Sequence, residues 1–73
     1  MARFFWIMNM TTANRDAVMA GMLQIVGMWQ LVPPLGGTIC LFMSDRNDDP
    51  TIEVSQVIAG TGATFIKLQA CNP

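Results

Sequence analysis

Apolar residues run without clean alternation through three stretches: Phe4-Phe5-Trp6-Ile7-Met8, Ile39-Cys40-Leu41-Phe42-Met43, and Phe65-Ile66 with Leu68. A half-solvated strand alternates apolar and polar residues, whereas a strand covered on both faces reads as a continuous apolar run. The three stretches therefore predict strands whose two faces are both covered. A chain of 73 residues can cover one face of a small sheet from within, so the second cover is expected to come from another molecule.

Between these stretches the pattern changes to helical spacing. Val18, Met22, Ile25, Val26 and Trp29 recur every three or four positions, which predicts a helix over residues 12–28. Thr12 is the expected N-cap, and Asp16 suits the positive end of the helix dipole. Gln30-Leu31-Val32 reads as a short edge strand, and Pro33-Pro34-Leu35-Gly36-Gly37 as a turn. After the strand at Thr38 to Met43, the polar run Ser44 to Asp49 is a solvated loop. Asp49-Pro50-Thr51-Ile52-Glu53 then opens a second helix, with aspartate as cap, proline at the first position and an acid in the first turn. It ends at Gly60-Thr61-Gly62, and Thr64 to Ala70 forms the last strand.

The resulting order predicts a single small α+β domain over residues 1–73, a ferredoxin-like β-α-β-β-α-β sandwich. In that arrangement the first strand lies between the third and fourth. A three-stranded β-α-β-α-β sheet is the fallback if residues 30–32 form no strand. Period-two alternation turns Phe4, Trp6, Met8, Ile39, Leu41, Met43, Ile66 and Leu68 toward the helices. It leaves Phe5, Ile7, Cys40, Phe42 and Phe65 as an exposed interface, accompanied by Arg3, Asn9, Lys67 and Gln69.

Composition sharpens the expectation of a partner. Hydrophobic residues make up 52% of the chain and charged residues 12%, the latter about half the usual share. So small a domain has a thin stability margin, for which metals, disulfides and oligomerisation are the usual remedies. There is no histidine and there are two cysteines. Cys40 and Cys71 fall on strands separated by the first strand, about 10 Å apart, beyond disulfide reach. Both are expected to be reduced and inert, and a cysteine nucleophile would lack a histidine base. Asp45, Asp48, Asp49 and Glu53 lack the glycine of a calcium loop and have Arg46 among them. No catalytic residue, metal site or cofactor is expected, and a homo-oligomer is.

Two other uses of the chain compete with that one. Phe5, Phe42 and Phe65 would offer a stacking platform to single-stranded nucleic acid, with Arg3 and Lys67 reaching phosphates; a net charge of −1 argues against it. The uncharged run from Ala17 to Ser44 is long enough for a membrane span over residues 17–43. Its Pro33-Pro34 and Gly36-Gly37 would break the helix, and no Lys/Arg cluster flanks it. The first residues do not read as a secretory signal, so a cytoplasmic location is expected.

Several local features resemble the small CRISPR-associated ferredoxin-like nucleases and their stand-alone relatives. They are a strand ending in Met8-Asn9-Met10, Arg15-Asp16 entering the first helix, and Gly27-Met28-Trp29 at its end. Thr38-Ile39-Cys40-Leu41-Phe42 and Ser44-Asp45 follow. The likeness is one of layout over most of the chain. It implies a ferredoxin-like fold and a homodimer built through the sheets. It also implies metal-dependent phosphodiester cleavage by an aspartate at the end of the first strand, but that position here is the neutral Asn9. The expected function is therefore a non-enzymatic protein-interaction or regulatory module acting as a homo-oligomer. An inhibitor carried by a phage or mobile element fits its size and lack of catalytic groups.

Overall fold

A computed structural model describes residues 4–69. Arg3, Ala70 and Cys71, each named above, lie outside the described residues. The chain runs β1 (Phe4–Asn9), α1 (Arg15–Leu23), β2 (Met28–Val32), β3 (Ile39–Ser44), α2 (Thr51–Ile58) and β4 (Thr64–Gln69). The strands form one antiparallel sheet in the order β2-β3-β1-β4. The fold is thus α+β, with a four-stranded sheet and two helices. The short second strand is present, which removes the three-stranded fallback.

The first helix is shorter than its periodicity predicts. At its start, the Thr11 hydroxyl rather than that of Thr12 accepts the Asn14 N–H, at 3.3 Å. The first helical hydrogen bond then runs from the Val18 N–H to the Asn14 carbonyl. At its end, Gln24, Ile25 and Met28 donate to carbonyls three residues back, at Gly21, Met22 and Ile25. These tight turns, with Gly27 at φ +78°, swing the chain into β2 and move Met28 from the expected helix into the strand. Residues 17–43, the alternative membrane span, are therefore divided among α1, β2 and β3. Among the described residues no helix is long and apolar enough to cross a membrane.

The second helix begins one residue later than its start signal predicts, at Thr51, with Pro50 in the N-cap position expected of Asp49. The Asp49 carboxylate accepts the Thr51 N–H at 3.0 Å, and Pro50, fully buried, presents its carbonyl to the Val54 N–H. Gly21 sets how near the two helices come: a Cβ there would lie 2.8 Å from Val57 Cγ1.

One cluster of apolar side chains forms the core. β1 supplies Phe4, Trp6 and Met8, and β3 supplies Cys40 and Phe42. Val18 and Met22 of α1 and Val54 of α2 complete its buried centre. Trp6 packs edge-on against Phe65, with ring centroids 5.3 Å apart. The alternation assigned to β1 from its sequence agrees with this arrangement, but that of β3 and β4 does not. Trp6 pairs with Phe42 on one side and Lys67 on the other, and Met8 pairs with Cys40 and Phe65. Directly opposed residues share a face, so Cys40, Phe42, Phe65 and Lys67 stand on the helix side.

The β2–β3 connection turns sharply at Pro34–Gly37, where the Gly37 N–H donates to the Pro34 carbonyl at 2.8 Å. Leu35 and Gly36, the central pair, have φ of +50° and +87°. Positive φ at both positions is the type I′ pattern, which asparagine, aspartate or glycine normally fills first. A Cβ-bearing residue in the left-handed region costs roughly 1–2 kcal/mol.

Because Phe42 is wholly inside, Phe42→Ala is expected to lower stability by about 3–5 kcal/mol, on the scale of the whole margin of a small domain. Urea unfolding followed by tryptophan fluorescence tests this. A loss below about 1 kcal/mol would place Phe42 outside the core.

Candidate functional site

The side of the sheet away from the helix-packed core is defined by register. Across the order β2-β3-β1-β4, one row reads Trp29, Met43, Phe5, Leu68. The next reads Val32, Leu41, Ile7, Ile66. A third, shorter row holds Ile39, Asn9 and Thr64. No residue in these rows is charged. The central side chains are half-buried by their neighbours, while Trp29 is 49% and Ile66 60% exposed. Phe5, Ile7, Leu41 and Leu68 also border a shallow depression of about 360 Å³.

Of the interface predicted from sequence, the structure keeps Phe5 and Ile7 on this open face. Cys40, Phe42 and Phe65 are displaced to the opposite side, and Phe42 is completely covered. Their places are taken by Ile39, Leu41, Ile66 and Leu68, which alternation had turned inward. The cause is that β3 is apolar on both faces, so its pattern has no phase, and a one-residue shift reverses every side chain. Lys67 and Gln69 suggested a solvent side for β4. Yet the lysine stem lies toward the core, with Nζ 5.8 Å from the Phe4 ring centroid and 5.9 Å from that of Trp6. Its ammonium emerges at the Asp49 carboxylate, 2.5 Å away. An acid at the start of α2 and one lysine on an edge strand were the signals that could have fixed the phase.

The same geometry separates the residues of the nucleic-acid reading. Phe5 alone of its aromatic platform is on the open face. Phe42 is internal, Phe65 is edge-packed on Trp6, Lys67 is paired with Asp49, and Arg3 lies outside the described residues. Asn9, the position matched to a nuclease aspartate, is exposed at the end of β1 beside Ile39 and Thr64.

The acidic loop is organised by its arginine. Arg46 donates to Asp48 and Glu53 and reaches the Val26 carbonyl at 3.4 Å, joining the α1–β2 turn, the loop and α2. Gly27 makes room for it, since a Cβ there would sit 2.8 Å from Arg46 Cγ. Among the described residues no three acidic or cysteine side chains converge on a common point. Burial pushes the Cys40 thiol up from its ordinary value, away from the thiolate. Two buried donors, Trp6 Nε1 and Gln30 Nε2, find no protein acceptor.

No protein-family model, curated protein or solved structure matches the chain. The likeness to CRISPR-associated nucleases accordingly rests on the residues quoted for it alone.

The ion pairs predict an acid dependence. Lys67 and the Thr51 hydroxyl hold the Asp49 carboxyl below the usual carboxylate range, and Arg46 does the same for Asp48. A carboxyl depressed on folding adds stability above its unfolded value, about pH 4, and loses it as pH falls through the lower folded value. Lys67→Met is thus expected to reduce the urea midpoint at neutral pH. That difference should shrink as pH falls through the lowered folded value of Asp49, because the protonated carboxyl no longer pairs with the lysine. A difference independent of pH would show that Lys67 acts only through packing.

Proposed function

We propose that the protein is a non-enzymatic interaction module that self-associates through the open face of a ferredoxin-like sheet, within the cytoplasm. The observation that carries this reading is the pair of adjacent apolar rows across all four strands, with no charge among them. Apolar patches of this extent mark interaction sites. Under a two-fold axis such a face is its own complement, since it presents no like charges to be brought together. The β1 position between β3 and β4 supports the ferredoxin-like topology. The buried, unpaired Cys40 suits a reducing compartment.

A sheet-to-sheet pair also answers the demand in the strand sequences, which are apolar on both sides. Strands about 4.8 Å apart and rising about 3.3 Å per residue give a face of roughly 400 Å² in plan. Pairing two faces removes about 800 Å² in plan, and more once the side-chain relief is counted. That reaches the lower edge of specific interfaces, about 1,000 Å².

The test is solution mass by light scattering behind size exclusion, with absorbance at 260 and 280 nm. The wild type should run as an oligomer free of nucleic acid. Ile66→Glu places a charge where the isolated chain is already exposed, so it should leave the fold intact and yield monomer. Trp29 supplies a second readout, because its emission should shift to the blue as concentration rises while fully buried Trp6 stays unchanged. A wild-type monomer at all concentrations defeats the proposal, as does an Ile66→Glu oligomer of unchanged affinity.

A further inference from the structure

We infer that the β2–β3 hairpin tip, with Leu35 at its apex, is a second contact element that packs onto the other copy of the chain. The inference rests on the sheet-to-sheet reading and extends it to a part of the molecule outside the two rows. Leu35 is 86% exposed, so its side chain gains little from its own fold. It nevertheless occupies a backbone position, φ +50°, that asparagine or glycine would fill without strain. A strained residue that is also an exposed large apolar one points to a use beyond the turn itself.

The surroundings say what kind of surface would receive it. From Leu31 to Leu41 no residue is charged, and the apex follows Pro33 and Pro34. The residues of the tip itself offer no counter-ion to a charged or phosphate-bearing partner, and the Arg15 guanidinium beside it is engaged by the Gly37 carbonyl at 3.2 Å. The hairpin is continuous with the open face, because Val32 and Ile39 at its base belong to that face. The face by itself reaches only the lower edge of a specific interface, about 1,000 Å², and the tip adds apolar area where the sheet ends. A second copy supplies an uncharged apolar surface of the required kind, and two-fold symmetry makes both tips contact at once.

Leu35→Asn tests this, since asparagine accepts the left-handed backbone and removes the apolar contact. In a dilution series read by light scattering, the variant is expected to dissociate at a concentration at least about tenfold higher than the wild type. Its urea midpoint, measured for both proteins as dilute monomers, should be equal or higher because the turn is relieved. Unchanged self-association, with Ile66→Glu still monomeric, would remove the tip from the contact and leave the sheet reading standing. A wild type that is monomeric throughout would overturn both. A lowered urea midpoint would show that Leu35 packs within its own chain and overturn the inference. So would flotation of the wild type, but not the variant, with neutral phosphatidylcholine vesicles, which would assign the tip to a lipid surface.

Discussion

Trp6 and Phe42 oppose each other on adjacent central strands, and both are fully buried. This pair decides the sidedness of everything else. Once these rings occupy one side of the sheet, β1 must place Phe5 and Ile7 on the other, and β3 must place Ile39, Leu41 and Met43 there. Two short helices are available as cover, α1 of nine residues and α2 of eight. At 1.5 Å per residue each is roughly 12–14 Å long. Val18, Met22 and Val54 pack from them onto the Trp6 side, and among the described residues no helix remains for the reverse. The apolar open face is thus the consequence of a core built around two large rings with both described helices on one side of the sheet.

The order of elements was legible because its signals are local. Asp49-Pro50 begins a helix wherever it is followed by the right spacing, and Gly27, Gly36 and Gly60 mark turns, each with positive φ. The limits of α1 were less legible, because Met28 and Trp29 continue the helical spacing while their hydrogen bonding belongs to β2. The phase of β3 was not legible at all. Ile39 to Met43 offers an apolar residue at every position, and the deciding contacts come from Trp6, more than thirty positions away. Lys67 misled for a related reason: a long side chain can start on the core side and still deliver its charge to the surface. The candidate site was therefore legible as a class of surface, with Phe5 and Ile7 placed, and its remaining members awaited the register.

The register limits the chemistry open to the face. With Phe42 and Phe65 inside, the aromatic platform for bases is reduced to Phe5 and Trp29, which lie at separate positions in one row. The described cations are engaged elsewhere. Arg46 holds the loop to α2, Lys67 meets Asp49, and Arg15 donates to the Gly37 carbonyl at 3.2 Å. Polyanion binding draws its affinity from cations free to replace counter-ions, and the face supplies none among the described residues. What remains is hydrophobic burial, which is non-directional and proportional to area. Orientation must then come from shape, and the half-buried centre between exposed Trp29 and Ile66 provides relief of that kind.

The edges of the sheet bear on how two copies would meet. An exposed edge strand offers unpaired backbone groups to a neighbour, and proteins block it with bulges, prolines and inward-pointing charges. Both edges here carry such devices. The register of β2 breaks between Gln30 and Val32, and Pro33-Pro34 follow at once. β4 carries Lys67 on its inner side, tied to Asp49. Among the described residues the open face carries nothing comparable: no charge in its rows, and no helix or loop drawn across it. Edges guarded in this way favour the proposed contact through the face over pairing through the edges. Joining copies edge to edge would extend the sheet and double the uncovered area, whereas joining them face to face hides it. The proposed pairing would in this way cover the face that Trp6 and Phe42 leave apolar.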